Sequence, residues 1–301
     1  VALPQSAADF YRTQQRLQLV LVAAGRRAWA RMLADFDASW AAIAPGLVGV
    51  ASAAQLASAT AATAYVPAVL AETGQPDAPE ARVRPQAFAG IAADGRGLDG
   101  LLQGAVVTAK RASGAGAPPA DALAQGGRWL DALLQGVVTD AGRGATQAEV
   151  AVRPHMGFVR MVNPPCCGRC AILAGRWYAY DAGFRRHPRC DCTAIPSTRD
   201  GWERLSISPA ELFANGHVKG LTQRETDRLA AGEDRNKVIN ASRDMWRARI
   251  AEQKAADQAR RDSLWAGATS PRPTVGIEDL LASLTSRVEA LGAMKAQGYA
   301  A

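Results

Sequence analysis

All five cysteines of this 301-residue chain fall between positions 166 and 192. They occupy two short runs, NPPCCGRCAILAG (residues 163–175) and RRHPRCDCTAIP (185–196). Cys167 and Cys170 have the CxxC spacing that lets one tight turn point two thiolates at one ion, and Gly168 permits the turn. His187 and Cys190, three residues apart, supply a second close pair, and Cys192 follows two residues on. Zinc takes four tetrahedral nitrogen or sulfur donors, commonly as two close pairs separated by a loop. Cys167, Cys170, His187 and Cys190 satisfy that requirement. Cys192 is an alternative ligand in place of His187 or Cys190, and Cys166 is left over. Four protein ligands leave no position for water, so the expected zinc is structural. Three other readings stay open: disulfides formed in an oxidising medium, packed thiols, or a redox pair. The sequence shows no sign of the strand–CxxC–helix context that a thioredoxin-type pair needs.

Positive charge gathers on the same segment. The formal net charge is +7. Residues 1–150 balance 12 basic against 12 acidic side chains, whereas residues 153–192 carry seven arginines against Asp181 and Asp191. Arg153, Arg160, Arg176, Arg185, Arg186 and Arg189 are the candidate contacts for a polyanion or for an acidic protein surface. The alternative is a set of surface arginines that merely solvate a small domain.

The same residues form no recognised catalytic pattern. The three histidines, His155, His217 and His187, form no HExxH. No GxSxG elbow, phosphate loop or dinucleotide fingerprint occurs. Cys166 or Cys192 with His155 or His217 are the conceivable nucleophile pairs, and nothing in the spacing selects one. No catalytic residue and no organic cofactor site is assigned.

The elements that must position these residues are mostly helices. Hydrophobic residues make up 48% and charged residues 21% of the chain, a globular composition. The expected fold is mainly α: a helical domain over 1–150, a small α+β Cys/His module over 151–200, a helical segment over 201–266, and a linker with an amphipathic tail over 267–301. Ser6 and Asp9 read as a capping box. Phe10, Leu17, Leu21, Ala24 and Ala28 follow helical spacing, and Trp29, Leu33, Phe36 and Trp40 extend it until Pro45 breaks it. Further helices are expected over 51–71 and 98–112, and one capped by Asp121 carries Leu123 to Val137. Residues 152–162 favour a strand, and 196–204 read as a loop. Helices follow at 209–215, 223–231 and 237–264. Ile277, Leu281, Leu284, Val288 and Leu291 have heptad spacing, over too few heptads for a helix that stands by itself. Such a tail docks on its own domain or on a partner. No stretch reads as a membrane span or a secretory signal, so no membrane is expected and a reducing cytoplasm is the expected place of synthesis.

The residues 167–175 (CGRCAILAG) and 186–196 (RHPRCDCTAIP) resemble the MuF-like minor head proteins of tailed bacteriophages, in the form common among phages of actinobacteria. Residues 138–143 (VTDAGR), 157–161 (GFVRM), 208–213 (SPAELF) and 238–245 (VINASRDM) resemble neighbouring parts of that family, as do Tyr65-Val66, Phe88 to Gly90 and Asp94-Gly95. The similarity covers about residues 10–246, and the Cys/His block is its most specific part. Cys166 doubles a cysteine that is usually single, and Asp244 stands where glycine is expected. The resemblance implies a low-copy virion protein in the capsid interior or at the portal vertex. It implies the portal or major capsid protein as partner, and a role in head assembly, DNA packaging or ejection. Family members are often labelled capsid maturation proteases, which makes a protease the alternative. A DNA-binding module of the head interior is a second alternative.

Overall fold

The computed structural model describes residues 4–182, 192–241 and 275–301. Among the described residues helix far outweighs strand, and the fold is mainly α with a small sheet. The chain divides into two compact units. Residues 1–159, 177–205 and 273–301 form the first, and residues 160–176 and 206–272 the second. These bounds differ from those the sequence suggests, because the chain leaves the first unit and returns to it twice.

The first unit is built on four long helices: α1 (Gln5–Trp29), α2 (Phe36–Glu72), α3 (Leu98–Gly114) and α4 (Pro119–Ala151). Leu21, Trp40, Ile43, Leu47, Leu102, Leu130 and Leu134 are among the buried residues of their shared core. Trp29 Nε1 donates to the Leu123 carbonyl at 3.0 Å, and Gln18 Nε2 donates to that of Gln135 at 2.6 Å, which sets α1 antiparallel to α4.

The start of α1 differs from the expected capping box. Its N-cap is Pro4, with no side-chain cap from Ser6 or Asp9. Glu72, at the far end of α2, accepts the backbone N–H groups of Gln5 and Ser6 at 2.5 and 2.9 Å and the Ser6 hydroxyl at 2.6 Å. A carboxylate is a better acceptor than a neutral cap for the exposed amides of a first turn. The Trp29–Trp40 stripe is likewise not one helix. α1 ends at Trp29, Leu33 is 69% exposed, and Asp35 starts α2 by accepting the Ala38 N–H at 3.0 Å.

α2 then runs through Pro45 and Pro67, where the sequence suggests a break at Pro45. Both prolines face solvent, so the carbonyl that each leaves without a helical donor can be hydrated. α2 is also long and apolar enough to cross a membrane, although 28% of its most apolar window is buried within the protein. Alanine mixed with serine, threonine and glutamine hides that length from a reading that looks for an unbroken apolar run. A core helix passes the same test. α2 carries Gln55 in the core, where Nε2 donates to the Ile91 carbonyl at 2.7 Å and Oε1 accepts the Gly90 N–H at 2.9 Å.

α4 continues to Ala151, well past the expected end, and Pro118 rather than Asp121 is its N-cap. The strand expected over 152–162 is β1 (Met156–Met161). It lies between β3 (Trp177–Ala179) and β4 (Thr193–Thr198), pairing antiparallel with β3 in the register Phe158↔Tyr178. β4 and a 3-10 turn at Trp202–Leu205 replace the expected loop. Gln75 Oε1 holds the end of β4 by accepting from Thr198 N at 2.9 Å and Ser197 Oγ at 3.0 Å.

The tail is two short helices, α8 (Ile277–Ala282) and α9 (Arg287–Ala296), not one heptad helix. A capping box between Ser286 and Glu289 restarts the helix, and Val288 is 83% exposed. The tail docks on its own unit. Tyr299 stacks beside Phe88 with ring centroids 5.2 Å apart, Arg287 pairs with Glu80, and Ala300 bridges to Val83. Residues 267–274 of the expected linker lie outside the described residues.

The second unit contains β2 (Cys166–Cys167), α5 (Gly168–Leu173), α6 (Pro209–Ala214), β5 (Val218–Lys219) and α7 (Gln223–Ala230). Residues 235–241 are helical, and the remainder of the helix expected over 237–264 lies outside the described residues.

Candidate functional site

The CxxC pair sits at a strand-to-helix junction in the second unit. β2 pairs parallel with β5 in the register Cys166↔Val218 and Cys167↔Lys219, and the Cys166 N–H donates to the His217 carbonyl at 3.0 Å. The chain turns at Cys167 straight into α5. Cys167 is the N-cap, and its Sγ accepts the backbone N–H of Cys170 at 3.4 Å. Gly168 lies close against its neighbours here. A Cβ at that position would come within 2.7 Å of Ile239 Cδ1 and 3.2 Å of Leu221 Cδ2. Cys167 is half-buried, whereas Cys170 is 4% exposed.

This corrects the sequence reading on one point: a strand, the CxxC and a helix do follow one another. β2 is two residues long, too short to leave a periodic signal. Cysteine is also not among the residue types that mark a helix start.

Of the other expected ligands, His187 and Cys190 lie outside the described residues. Cys192 belongs to the first unit and is 3% exposed. Among the described residues, no group of three or more metal-donor side chains comes together.

The basic patch is smaller than the sequence suggests. Arg153 is 3% exposed, and its guanidinium is engaged inside the protein. Nη1 donates to Glu149 Oε2 at 2.5 Å and to the Glu149 carbonyl at 2.6 Å, and Nε donates to the Asp77 carbonyl at 3.2 Å. Burial pushes the Glu149 carboxyl above the usual range, and the bonds and charge of Arg153 oppose that shift. Arg160 is also 3% exposed, with its backbone tied to Arg176 and Gly175. Neither side chain presents charge at the surface. Counting arginines along a chain registers charge but not burial. Arg176 is exposed, and Arg185, Arg186 and Arg189 lie outside the described residues.

The conceivable nucleophile pairs gain little. His155 is exposed and faces Asp77, with Nδ1 3.5 Å from Oδ1. His217 is exposed and meets Cys166 through the backbone, while the Cys166 side chain is buried.

Of the polar residues buried in the second half of α4, the sequence singled out the segment 138–143 but neither its burial nor the polar residues that follow it. Arg143 pairs with Asp140 at 3.0 Å, and Gln147 Nε2 donates to the Tyr180 carbonyl at 3.0 Å. Asp140, Gly144, Phe88, Ile277, Glu278 and Tyr299 line a small pocket there. The signal was present in the run of glycine, threonine and glutamine that continues helical spacing beyond Val137.

Compared with family models, with curated proteins and with solved structures, the chain matches none.

Proposed function

We propose that this protein is a structural minor head protein of a tailed bacteriophage, acting in procapsid assembly near the portal and in DNA packaging or ejection. The observation that carries the reading is the Cys/His block, CGRC followed by HPRCDC, which resembles the MuF-like family. Its first half forms a packed strand-to-helix turn in which both cysteines are held by the backbone. A mainly α frame and a tail folded back on its own unit suit a part that is built into an assembly. Partners on this reading are the portal or the major capsid protein.

Zinc belongs to the same proposal. Cys167 and Cys170 would supply two thiolates, and His187 with Cys190, or Cys192 in place of either, would complete the set. Its chemistry would be structural cross-linking. Contact with packaged DNA is narrower than the sequence suggests and rests on Arg176, Arg185, Arg186 and Arg189.

Quantitative mass spectrometry of purified particles tests the reading. The expected result is the intact chain at low copy relative to coat protein. Absence of the chain from particles whose coat protein has a trimmed N-terminus would overturn it in favour of a maturation protease. Elemental analysis tests the metal separately: wild type should carry about one zinc per chain, lost in Cys167→Ser and in Cys170→Ser.

A further inference from the structure

We propose that Cys167 and Cys170 are a redox-active dithiol, with Cys167 the attacking thiol and Cys170 the resolving one. Three observations in the second unit carry this assignment. The first is position: the two cysteines are the N-cap and the third residue of α5, and residues three apart on a helix lie on one face. Neighbouring positions on one face are the first requirement for joining two sulfurs.

The second observation is asymmetry. Cys167 is half-buried, while Cys170 is 4% exposed. The third is the hydrogen bond from the Cys170 N–H to Cys167 Sγ at 3.4 Å, a donor aimed at the sulfur that must carry negative charge to attack. Beneath the pair, Gly168 packs against Ile239 and Leu221, which fixes the turn on the hydrophobic interior of its unit.

The oxidant is a small-molecule disulfide, RS–SR. The Cys167 thiolate attacks one sulfur, the RS–SR bond breaks, and RS⁻ leaves and takes up the proton that Cys167 gave up. Cys167 is now joined to SR. The Cys170 thiolate then attacks Cys167 Sγ, the bond to SR breaks, and a second RS⁻ leaves and takes up the Cys170 proton. The protein loses two electrons and two protons, and RS–SR becomes two RSH. The same two sulfurs cannot be joined and also serve as zinc ligands, so closure and zinc binding are alternatives of one pair. The inference does not rest on the phage reading.

The test treats the full-length, chelator-washed protein with oxidised glutathione, quenches by alkylation and maps the peptides. Wild type should give a Cys167–Cys170 link and two molecules of reduced glutathione per chain. Cys170→Ser should hold a stable glutathione adduct on Cys167. Cys167→Ser should acquire an adduct on Cys170 at least ~10-fold more slowly, because access and thiolate character control the rate. A time course on wild type shows the same order, with the Cys167 adduct preceding the link, should either variant fail to fold. No link in wild type, a link made instead to Cys166 or Cys192, or equal reaction at Cys170 would overturn the assignment. Zinc content, measured on the same preparation before washing, decides the metal reading independently.

Discussion

Glu72 shows how much one exposed carboxylate can organise. Its two oxygens receive two backbone amides and one hydroxyl from the first turn of α1. The Ser6 hydroxyl and then the Ser6 amide hold its carboxyl below the usual glutamate range. A carboxylate with a lowered folded-state value stabilises the protein above the ordinary glutamate range. That contribution is lost as pH falls through the lower folded value. Glu72→Gln should therefore cost roughly 1 kcal/mol at neutral pH, a solvent-discounted figure, and little in acid. Urea unfolding of both proteins at neutral pH and in acid reads the difference directly.

The same residue marks a limit of sequence reading. Ser6 and Asp9 have capping-box spacing, yet the donors of the first turn are satisfied from 66 residues away. Local spacing cannot register an acceptor supplied by another helix. Arg153 makes a related point for charge: Glu149 stands only four residues away, but the Asp77 carbonyl it also engages comes from 76 residues away.

At the scale of elements, glycine separates helices that must touch from helices that need not. At Gly126 in α4, a Cβ would lie 2.7 Å from the Ala105 carbonyl oxygen of α3 and 2.6 Å from Trp29 of α1. At Gly46 in α2, a Cβ would meet nothing within 4 Å. Gly46→Ala should stabilise the protein by about 0.5–1 kcal/mol, since it removes backbone freedom from the unfolded chain at no steric cost. Gly126→Ala should destabilise it by about 1–3 kcal/mol, as overpacking does. Thermal unfolding of the pair gives opposite shifts.

Among the helices, α3, the first half of α4, α6 and α7 were legible in the sequence. So was β1, from its β-favouring residues. The errors fell where solvent or a second local signal offset the rule that was applied. Pro45 does not end α2, because it faces solvent. The heptad spacing of the tail does not make one helix, because Ser286 and Glu289 cap a new start. Within the candidate site, the CxxC was legible from spacing. Its strand-to-helix setting was not, since a two-residue strand has no period to read.

At the scale of the whole molecule, the tail completes the first unit. Tyr299 is 1% exposed, its ring packs against Phe88, and its hydroxyl donates to the Val275 carbonyl at 2.9 Å. Tyr299→Ala should cost about 3–5 kcal/mol, the usual penalty for emptying an aromatic site, measured by denaturant titration. Burial pushes the Tyr299 phenol up to about 12. The unfolded phenol ionises near 10, so wild type should lose stability as pH rises from about 10 towards 12, and Tyr299→Phe should lose less of it.

The pairing of residues 82–84 with 299–301 also sets a timetable. A ribosome adds about 5–20 residues per second, so Phe88 emerges roughly 10–40 s before Tyr299 is made to cover it. During that interval the helices of the first unit exist with one face bare, while the segments of the second unit are already being synthesised. The order of manufacture thus alternates between segments of the two units and ends on the tail. The nascent chain carries an uncovered apolar seat for as long as translation takes to supply its occupant.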